Sequence, residues 1–184
     1  MIAETARLRL REVTWNDLDA LAAMVADEDQ MRFYRRVRTR EEAAAWIERT
    51  RAIYSEHGFG FWAVELRRRP SFIGYCGVRP LALEGVAETE IGWRIDKAFW
   101  NRGLATEAAI AARDVAFGRF ALTRLVAMIH PDNLASLRVA EKIGMQSEKA
   151  LVFDGDPYAI YAIGRASGAS IRGGGPPRTA APPQ

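Results

Sequence analysis

The segment Phe99-Trp100-Asn101-Arg102-Gly103-Leu104-Ala105-Thr106-Glu107-Ala108 marks the change from a strand pattern to an alanine-rich helix pattern. Gly103 lies at its centre, where glycine permits a positive φ and lets a ligand approach without meeting a Cβ. The first turn of the helix leaves unpaired backbone N–H groups at the positive end of its dipole. The segment therefore predicts a loop suited to phosphate or pyrophosphate. Taken alone, it is better explained as a tight turn that binds nothing.

A second segment, His130-Pro131-Asp132-Asn133-Leu134-Ala135-Ser136-Leu137-Arg138-Val139-Ala140-Glu141-Lys142-Ile143-Gly144-Met145, has the signals of a complete helix. Asparagine is a favoured residue at a helix N-cap, so the helix is predicted to begin at Asn133. Gly144 suits the left-handed position that ends a helix, and Met145 supplies the apolar contact that follows it.

These segments, WNRGLATEA (100–108) and NLASLRVAEKIGM (133–145), closely resemble the GNAT superfamily of acyl-CoA-dependent N-acetyltransferases. Within that superfamily they are most similar to the ribosomal-protein N-acetyltransferases of the RimJ/RimL type. The segments TARLRLR (5–11) and EIGW (90–93) fit the same pattern in the same order, and the resemblance covers roughly residues 5–163. Trp100 supports the RimJ/RimL-like branch, which commonly has an aromatic residue there.

The resemblance implies the GNAT fold, an α+β architecture with a central mixed β-sheet flanked by helices. Along the chain, apolar alternation and helical periodicity predict the element order β-α-α-β-β-β-α-β-α-β-β. The second helix is predicted from about residue 41 to 55, with an inner face formed by Ala44, Ala45, Trp46, Ile47 and Ile53. Residues 1–164 are expected to form one domain. Residues 165–184, rich in Gly, Pro and Ala, are expected to be a disordered tail.

Composition narrows the classes of function. The 184 residues, 49% of them hydrophobic, suffice for one well-buried core. No apolar run approaches the roughly 18 residues of a membrane span, and no signal pattern is present, so we expect a cytoplasmic protein that does not bind membranes. The single cysteine, Cys76, precludes an internal disulfide and is expected to be buried. The net charge of +3 is not concentrated on a basic face rich in aromatics, so nucleic-acid binding is not expected.

Acetyl-CoA is the co-substrate that the resemblance implies, with no metal. The residues expected around its pyrophosphate are Asn101, Arg102, Gly103, Leu104, Ala105 and Thr106. The backbone of Trp93, Arg94 and Ile95 is expected to hydrogen-bond the pantetheine arm in the manner of an added strand. Asn133 matches the family asparagine that contacts the cofactor arm. Its alternative role is a plain helix N-cap, and one side chain could do both.

Acyl transfer to an amine requires a group that accepts the amine proton. Glu90 begins the EIGW segment, where the resemblance places an acidic residue facing the amine, and a carboxylate there can take the proton directly or through water. Glu88 is the competing candidate, and either residue could instead be an ordinary exposed strand carboxylate. A backbone N–H within residues 91–94, freed by a local bulge, could polarise the thioester carbonyl.

The leaving thiolate is the second catalytic requirement. Many GNAT enzymes use a tyrosine at the position that here is Ala140. In the RimL-like branch a serine three residues after the asparagine is the proposed proton donor, and Ser136 matches it. The alternative for Ser136 is a hydroxyl that caps the first helical turn.

The acceptor amine belongs either to a protein N-terminus or to a small molecule. Arg35, Trp46 and Trp62 are the candidate acceptor contacts, and Arg35, Arg36 or Arg38 could select an acidic acceptor unless they lie in a solvated loop. The two histidines, His57 and His130, are expected to be structural. A non-catalytic acyl-CoA-binding module is the rival function, and a homodimer is compatible with the resemblance.

Overall fold

A mixed β-sheet with helices on both faces organises residues 1–165, which are the residues described by the computed structural model. Its strands are β1 (Ala3–Glu4), β2 (Leu8–Arg11), β3 (Phe61–Leu66), β4 (Phe72–Leu83), β5 (Val86–Ile95), β6 (Arg124–Ile129), β7 (Gln146–Phe153) and β8 (Asp156–Gly164). The helices are α1 (Leu18–Val25), α2 (Glu28–Met31), α3 (Arg40–His57), α4 (Leu104–Gly118) and α5 (Leu134–Lys142). Within this range, none of the helices has the length and apolar character to cross a membrane. The tail predicted for residues 165–184 lies outside the described residues, apart from Arg165.

The sheet is interrupted at its centre. Its eight strands follow the order β1-β2-β3-β4-β5-β6-β8-β7, and all neighbours are antiparallel except β5 and β6. These two strands are parallel and share a single pair, Glu90 with Val126. Beyond that pair they separate, so the backbone groups of β5 that point toward β6 have no ladder partner there. The mixed, split sheet confirms the predicted GNAT fold.

Small side chains bring α4 close to the sheet. Ala108, Ala109, Ala112 and Ala116 are each 0% exposed and belong to the main core cluster with residues of β2 to β6. The opposite face of the sheet carries α1 and α3, and Ala63 joins that second cluster. Its neighbours Trp62 and Val64 belong to the first cluster. Successive strand residues thus face opposite sides, as pleating requires.

The first half of the chain differs from the sequence-based prediction in three places, one of which is the two-residue strand β1, which was not predicted. The buried residues of α3 are Ala43, Ile47 and Thr50, so its inner face is rotated from the predicted one and begins at Ala43. The short helix α2 was not predicted, because four residues are too few to show helical periodicity. Asp27 caps this helix by accepting a hydrogen bond from the backbone of Gln30 at 3.1 Å.

We expect Ala112→Leu to destabilise the protein. Ala112 is fully buried between α4 and the sheet, and extra methylenes in a packed core typically cost about 1–3 kcal/mol. Chemical denaturation followed by circular dichroism measures the free energy of unfolding. The control is Asp114→Leu on the exposed side of α4, where a surface substitution changes stability by about 0.5 kcal/mol or less. An equal loss in both variants would show that the close approach of α4 is not what limits side-chain size.

Candidate active site

A cleft of about 680 Å³ lies where β5 and β6 separate. Its floor is formed by residues 90–94 of β5 and 127–130 at the end of β6. One wall comes from the segment between α1 and α3, and the other from the start of α5 and the β7–β8 hairpin. The cleft is therefore assembled from parts of the chain that are more than 100 residues apart.

Glu90 lies on the cleft face of β5 and is the candidate base that the cleft contains. Its side chain is 13% exposed, and its carboxylate accepts a 2.5 Å hydrogen bond from Nε of Arg79, the residue opposite it on β4. Glu88 is not among the residues lining the cleft. Its carboxylate pairs with Arg124 at 3.2 Å instead. The structure thus separates two glutamates that the sequence could not distinguish.

The first turn of α5 places Asn133 and Ser136 in the cleft wall. Oδ1 of Asn133 accepts a 3.1 Å hydrogen bond from the backbone N–H of Ser136, so the N-cap role of Asn133 is confirmed. The rest of the amide still borders the cleft, which leaves the second predicted role compatible with the first. The Ser136 hydroxyl makes no hydrogen bond within residues 1–165, so it does not act as the cap.

The loop before α4 has the predicted left-handed backbone. Gly103 has φ 71° and Asn101 has φ 59°, and the helix ladder begins only with the hydrogen bond from Glu107 N–H to the Gly103 carbonyl at 3.1 Å. Consequently the backbone N–H groups of residues 101–106 find no acceptor in the described part of the chain. Consecutive unpaired donors at a helix N-terminus are an arrangement suited to binding an anion. The loop lies outside the cleft lining itself.

Arg7 holds this loop in place, a contact that sequence reasoning missed. Its Nη1 donates to the carbonyl of Arg102 at 2.8 Å, and its Nε pairs with Glu107 at 2.6 Å. Glu107 also accepts a 2.6 Å hydrogen bond from the Thr5 hydroxyl. The pKa of Glu107 is lowered, because these hydrogen bonds outweigh the effect of burial, which acts in the opposite direction. The TARLRLR segment therefore positions the loop from a distance of about 100 residues in sequence.

Trp93 and Arg94 line the cleft, whereas Ile95 does not. Ile95 is 5% exposed and packs in the core, and its carbonyl accepts a 2.6 Å hydrogen bond from Nε1 of Trp100. The pairing of β4 with β5 is regular from residue 86 to 95, so the predicted bulge at residues 91–94 is absent from this ladder. The separation of β5 from β6 leaves backbone groups of these residues unpaired, so no bulge is needed to free them.

Two of the three predicted acceptor contacts lie elsewhere. Trp46 lines the cleft, with its ring centroid 4.8 Å from that of Tyr75. Trp62 is 0% exposed in the main core cluster, because it points to the other face of β3. Arg35 lies outside the lining and pairs with Asp154 at 3.0 Å and Asp156 at 2.8 Å. The expected roles of Trp62 and Arg35 in direct acceptor contact are therefore not supported.

Two further cleft residues, His130 and Tyr75, were not predicted to be part of the site. His130 was expected to be structural, yet it lines the cleft at the end of β6, with its ring 5.5 Å from that of Phe33. The sequence did contain one indication of this position, since His130 directly follows an apolar strand. Burial raises the pKa of Tyr75 to about 12, so its hydroxyl remains neutral at physiological pH. Within residues 1–165, no group of three or more potential metal ligands lies together.

Comparison with known proteins agrees with this geometry. The model of the acetyltransferase (GNAT) domain matches residues 7–146. The chain is 32% identical over 170 residues to the uncharacterized N-acetyltransferase YoaA of Bacillus subtilis (strain 168), covering 88% of this chain and 96% of that protein. Among solved structures, an acetyltransferase from Agrobacterium tumefaciens str. C58 superposes with a TM-score of 0.78 at 27% identity, covering 89% of this chain and 94% of the other.

A more distant structure shares the fold. RimL, the ribosomal L7/L12 alpha-N-protein acetyltransferase, was solved in complex with coenzyme A and has a TM-score of 0.71 at 19% identity. The alignment covers 89% of this chain and 97% of RimL. The domain match extends over most of the chain and includes β5, the loop before α4 and the start of α5. The chain therefore belongs to the GNAT family of N-acetyltransferases, enzymes of the acyltransferase class.

Proposed function

We propose that this protein transfers an acetyl group from acetyl-CoA to a primary amine of a protein N-terminus or a small molecule, by direct attack within a ternary complex. The observation that carries the proposal is the combination of one anion-binding loop with one carboxylate-bearing cleft. The loop, residues 101–106, presents unpaired backbone donors, and Glu90 lies on the strand that leads toward it. The proposal also includes the cytoplasmic location, the RimJ/RimL-like branch and a homodimer as compatible features.

The residues present fit acetyl-CoA. The donors of residues 101–106 suit its pyrophosphate, and Arg102 is exposed beside them for a charge-assisted contact. The gap between β5 and β6 offers the backbone of Trp93 and Arg94 to an extended arm. The coenzyme A bound to RimL in the same fold supports this assignment. When bound, acetyl-CoA supplies an acyl group activated as a thioester.

The chain's own residues would act on the amine. Glu90 would hold the incoming ammonium and accept its proton, directly or through a water molecule. Arg79 positions that carboxylate through the hydrogen bond between them. Backbone N–H groups of β5 that face the gap would polarise the carbonyl oxygen, since they have no ladder partner beyond Glu90.

Ser136 would donate a proton to the departing thiolate from the first turn of α5. A thiol has an ordinary pKa of roughly 8.5, so its thiolate leaves readily without assistance. The contribution of Ser136 is therefore expected to be smaller than that of Glu90. The non-catalytic binding module is not favoured, because the family match is to acetyltransferases and the cleft contains a positioned carboxylate.

Gly103→Glu is expected to weaken acetyl-CoA binding by at least about 100-fold, because juxtaposed like charges cost several kcal/mol. Calorimetric titration with acetyl-CoA measures the affinity, and adenosine diphosphate reports on the pyrophosphate end alone. The matched control is Gly85→Glu in the β4–β5 turn, where φ is +80° and no atom lies within 4 Å of an added Cβ. It carries similar backbone strain and the same charge far from the loop. Unchanged affinity in folded Gly103→Glu would refute the assignment of the loop.

Glu90→Gln is expected to lower kcat by about 10²- to 10⁴-fold, because general-base catalysis is removed. Thiol release with an amine panel measures kcat, and calorimetry measures acetyl-CoA affinity in the same variant. Glu88→Gln is the control, since Glu88 pairs with Arg124 outside the cleft. If Glu90→Gln retained full activity while Glu88→Gln lost it, the base would be wrongly assigned. If wild-type protein bound acetyl-CoA but acetylated no amine, the non-catalytic module would replace the proposed function.

A further inference from the structure

Arg94 is a cleft arginine whose charge is not matched by a carboxylate. It is partly buried, with its guanidinium carbon 4.2 Å from the ring centroid of Tyr34 and 5.9 Å from that of Tyr75. It also touches the sulfur of Met31. Among the described residues no aspartate or glutamate forms an ion pair with it. Removing a guanidinium from water without an anionic partner is unfavourable, so its surroundings favour an anion supplied from outside the chain.

Other arginines with restricted exposure have acidic partners. Arg11 pairs with Asp17 at 2.6 Å and Glu65 at 2.7 Å, and Arg124 pairs with Glu88 at 3.2 Å. Arg94 has no such partner, although all three arginines lie on strands of the same sheet. The absence of a carboxylate near Arg94 is therefore a local property of the cleft.

The residues that line the cleft carry an excess of positive formal charge, which also favours an anionic ligand. Four arginines line it (Arg38, Arg49, Arg79 and Arg94) and two glutamates do (Glu42 and Glu90), with neither lysine nor aspartate among the lining residues. Both glutamates are already engaged, Glu42 by Arg36 and Arg38, and Glu90 by Arg79. This excess of positive charge attracts an anion and disfavours a polycationic acceptor such as a polyamine.

We propose that the acceptor is an amine that also carries a carboxylate, and that the Arg94 guanidinium binds this carboxylate. The inference rests on the acetyl transfer proposed above and names the substrate class for that site. A guanidinium can bind a carboxylate through two parallel hydrogen bonds, which fixes its orientation. Arg94 is thus the specificity-determining residue, in place of Arg35, Arg36 and Arg38, whose charges are paired within the chain.

The arrangement of β4 and β5 suits an acceptor with two different ends. Glu90 and Arg94 share one face of β5, about 13 Å apart along the strand. Gly92 lies between them opposite Gly77, so neither β4 nor β5 places a side chain there. A Cβ at Gly92 would lie 3.0 Å from the Phe61 ring, so this ring from β3 covers the position between Glu90 and Arg94. The amine of the acceptor contacts Glu90, its carboxylate binds Arg94, and the apolar part between them contacts the Phe61 ring.

Matched pairs of acceptors test this inference. The probes are the common L-amino acids and the straight-chain ω-amino acids from glycine to 6-aminohexanoate, each compared with its carboxamide. Acetyl transfer is measured as kcat/KM by thiol release at one pH. Wild-type protein is expected to prefer the acid of its best pair by at least about 10-fold, the usual worth of a hydrogen bond to a charged group.

Three variants test whether Arg94 causes the preference for the acid over its carboxamide. Arg94→Met keeps an unbranched side chain but removes the guanidinium, including the Nη1 that contacts the Met31 sulfur, and it is expected to abolish the preference for the acid through KM. Arg94→Lys retains the charge without the planar fork and is expected to restore part of it. Arg49→Met removes an exposed arginine of the same cleft and is expected to keep the preference. Thermal unfolding of each variant verifies that it is folded.

The outcomes separate this inference from the proposed function. Acid preference that disappears in Arg94→Met and partly returns in Arg94→Lys supports both. Acetylation of acids and amides at equal rates, or a preference that survives Arg94→Met, overturns the role of Arg94 and leaves acetyl transfer intact. If wild-type protein acetylates peptide N-termini but none of these probes, this inference fails and the proposed function stands; if it acetylates neither, both fail. Weaker acetyl-CoA binding in Arg94→Met with its acid preference unchanged would assign the side chain to the cofactor and overturn the inference.

Discussion

The single parallel contact between β5 and β6 is the constraint on which the rest of the structure depends. Because the two strands pair only at Glu90 and Val126, the backbone of β5 beyond that point is available to a ligand. The close packing of the α4 alanines on the sheet brings the unpaired donors of residues 101–106 to the end of the same strand. The separated strands and the closely packed helix thus bring the two parts of the candidate site to the same end of the sheet.

Charge pairing distinguishes the structural arginines from the one that we assign to a ligand. Arg7 joins the β1–β2 turn to α4 through Glu107, and Arg35 joins the segment before α3 to the β7–β8 turn through Asp154 and Asp156. In both cases the acid lies on a different part of the chain, so the pair ties two segments together. Arg94 has no such acid among the described residues. An arginine-rich sequence thus contains several structural ties and one candidate recognition group.

Residues with local signals were placed more accurately than those whose role depends on tertiary contacts. Gly103 and Asn133 were correctly assigned to a left-handed turn and a helix cap, because both depend on nearby backbone geometry. Trp46 and Trp62 were chosen on the same aromatic character, yet only Trp46 lines the cleft. A tryptophan on a strand with apolar residues on both faces gives no indication of which side it occupies, since both sides are buried.

The sequence by itself determined most of the order of the elements, the loop before α4 and the helix after Asn133, and its resemblance to the GNAT superfamily implied the α+β fold. The elements, the loop and the helix follow from short-range patterns of glycine, caps and apolar periodicity, which physical chemistry interprets within a few residues. Only the tertiary structure decided which glutamate faces the cleft, because Glu88 and Glu90 have the same parity on β5 and differ only in their partners on other strands. It alone also showed that Arg94 lacks an acidic partner, since ion pairing depends on distances between segments that are remote in sequence.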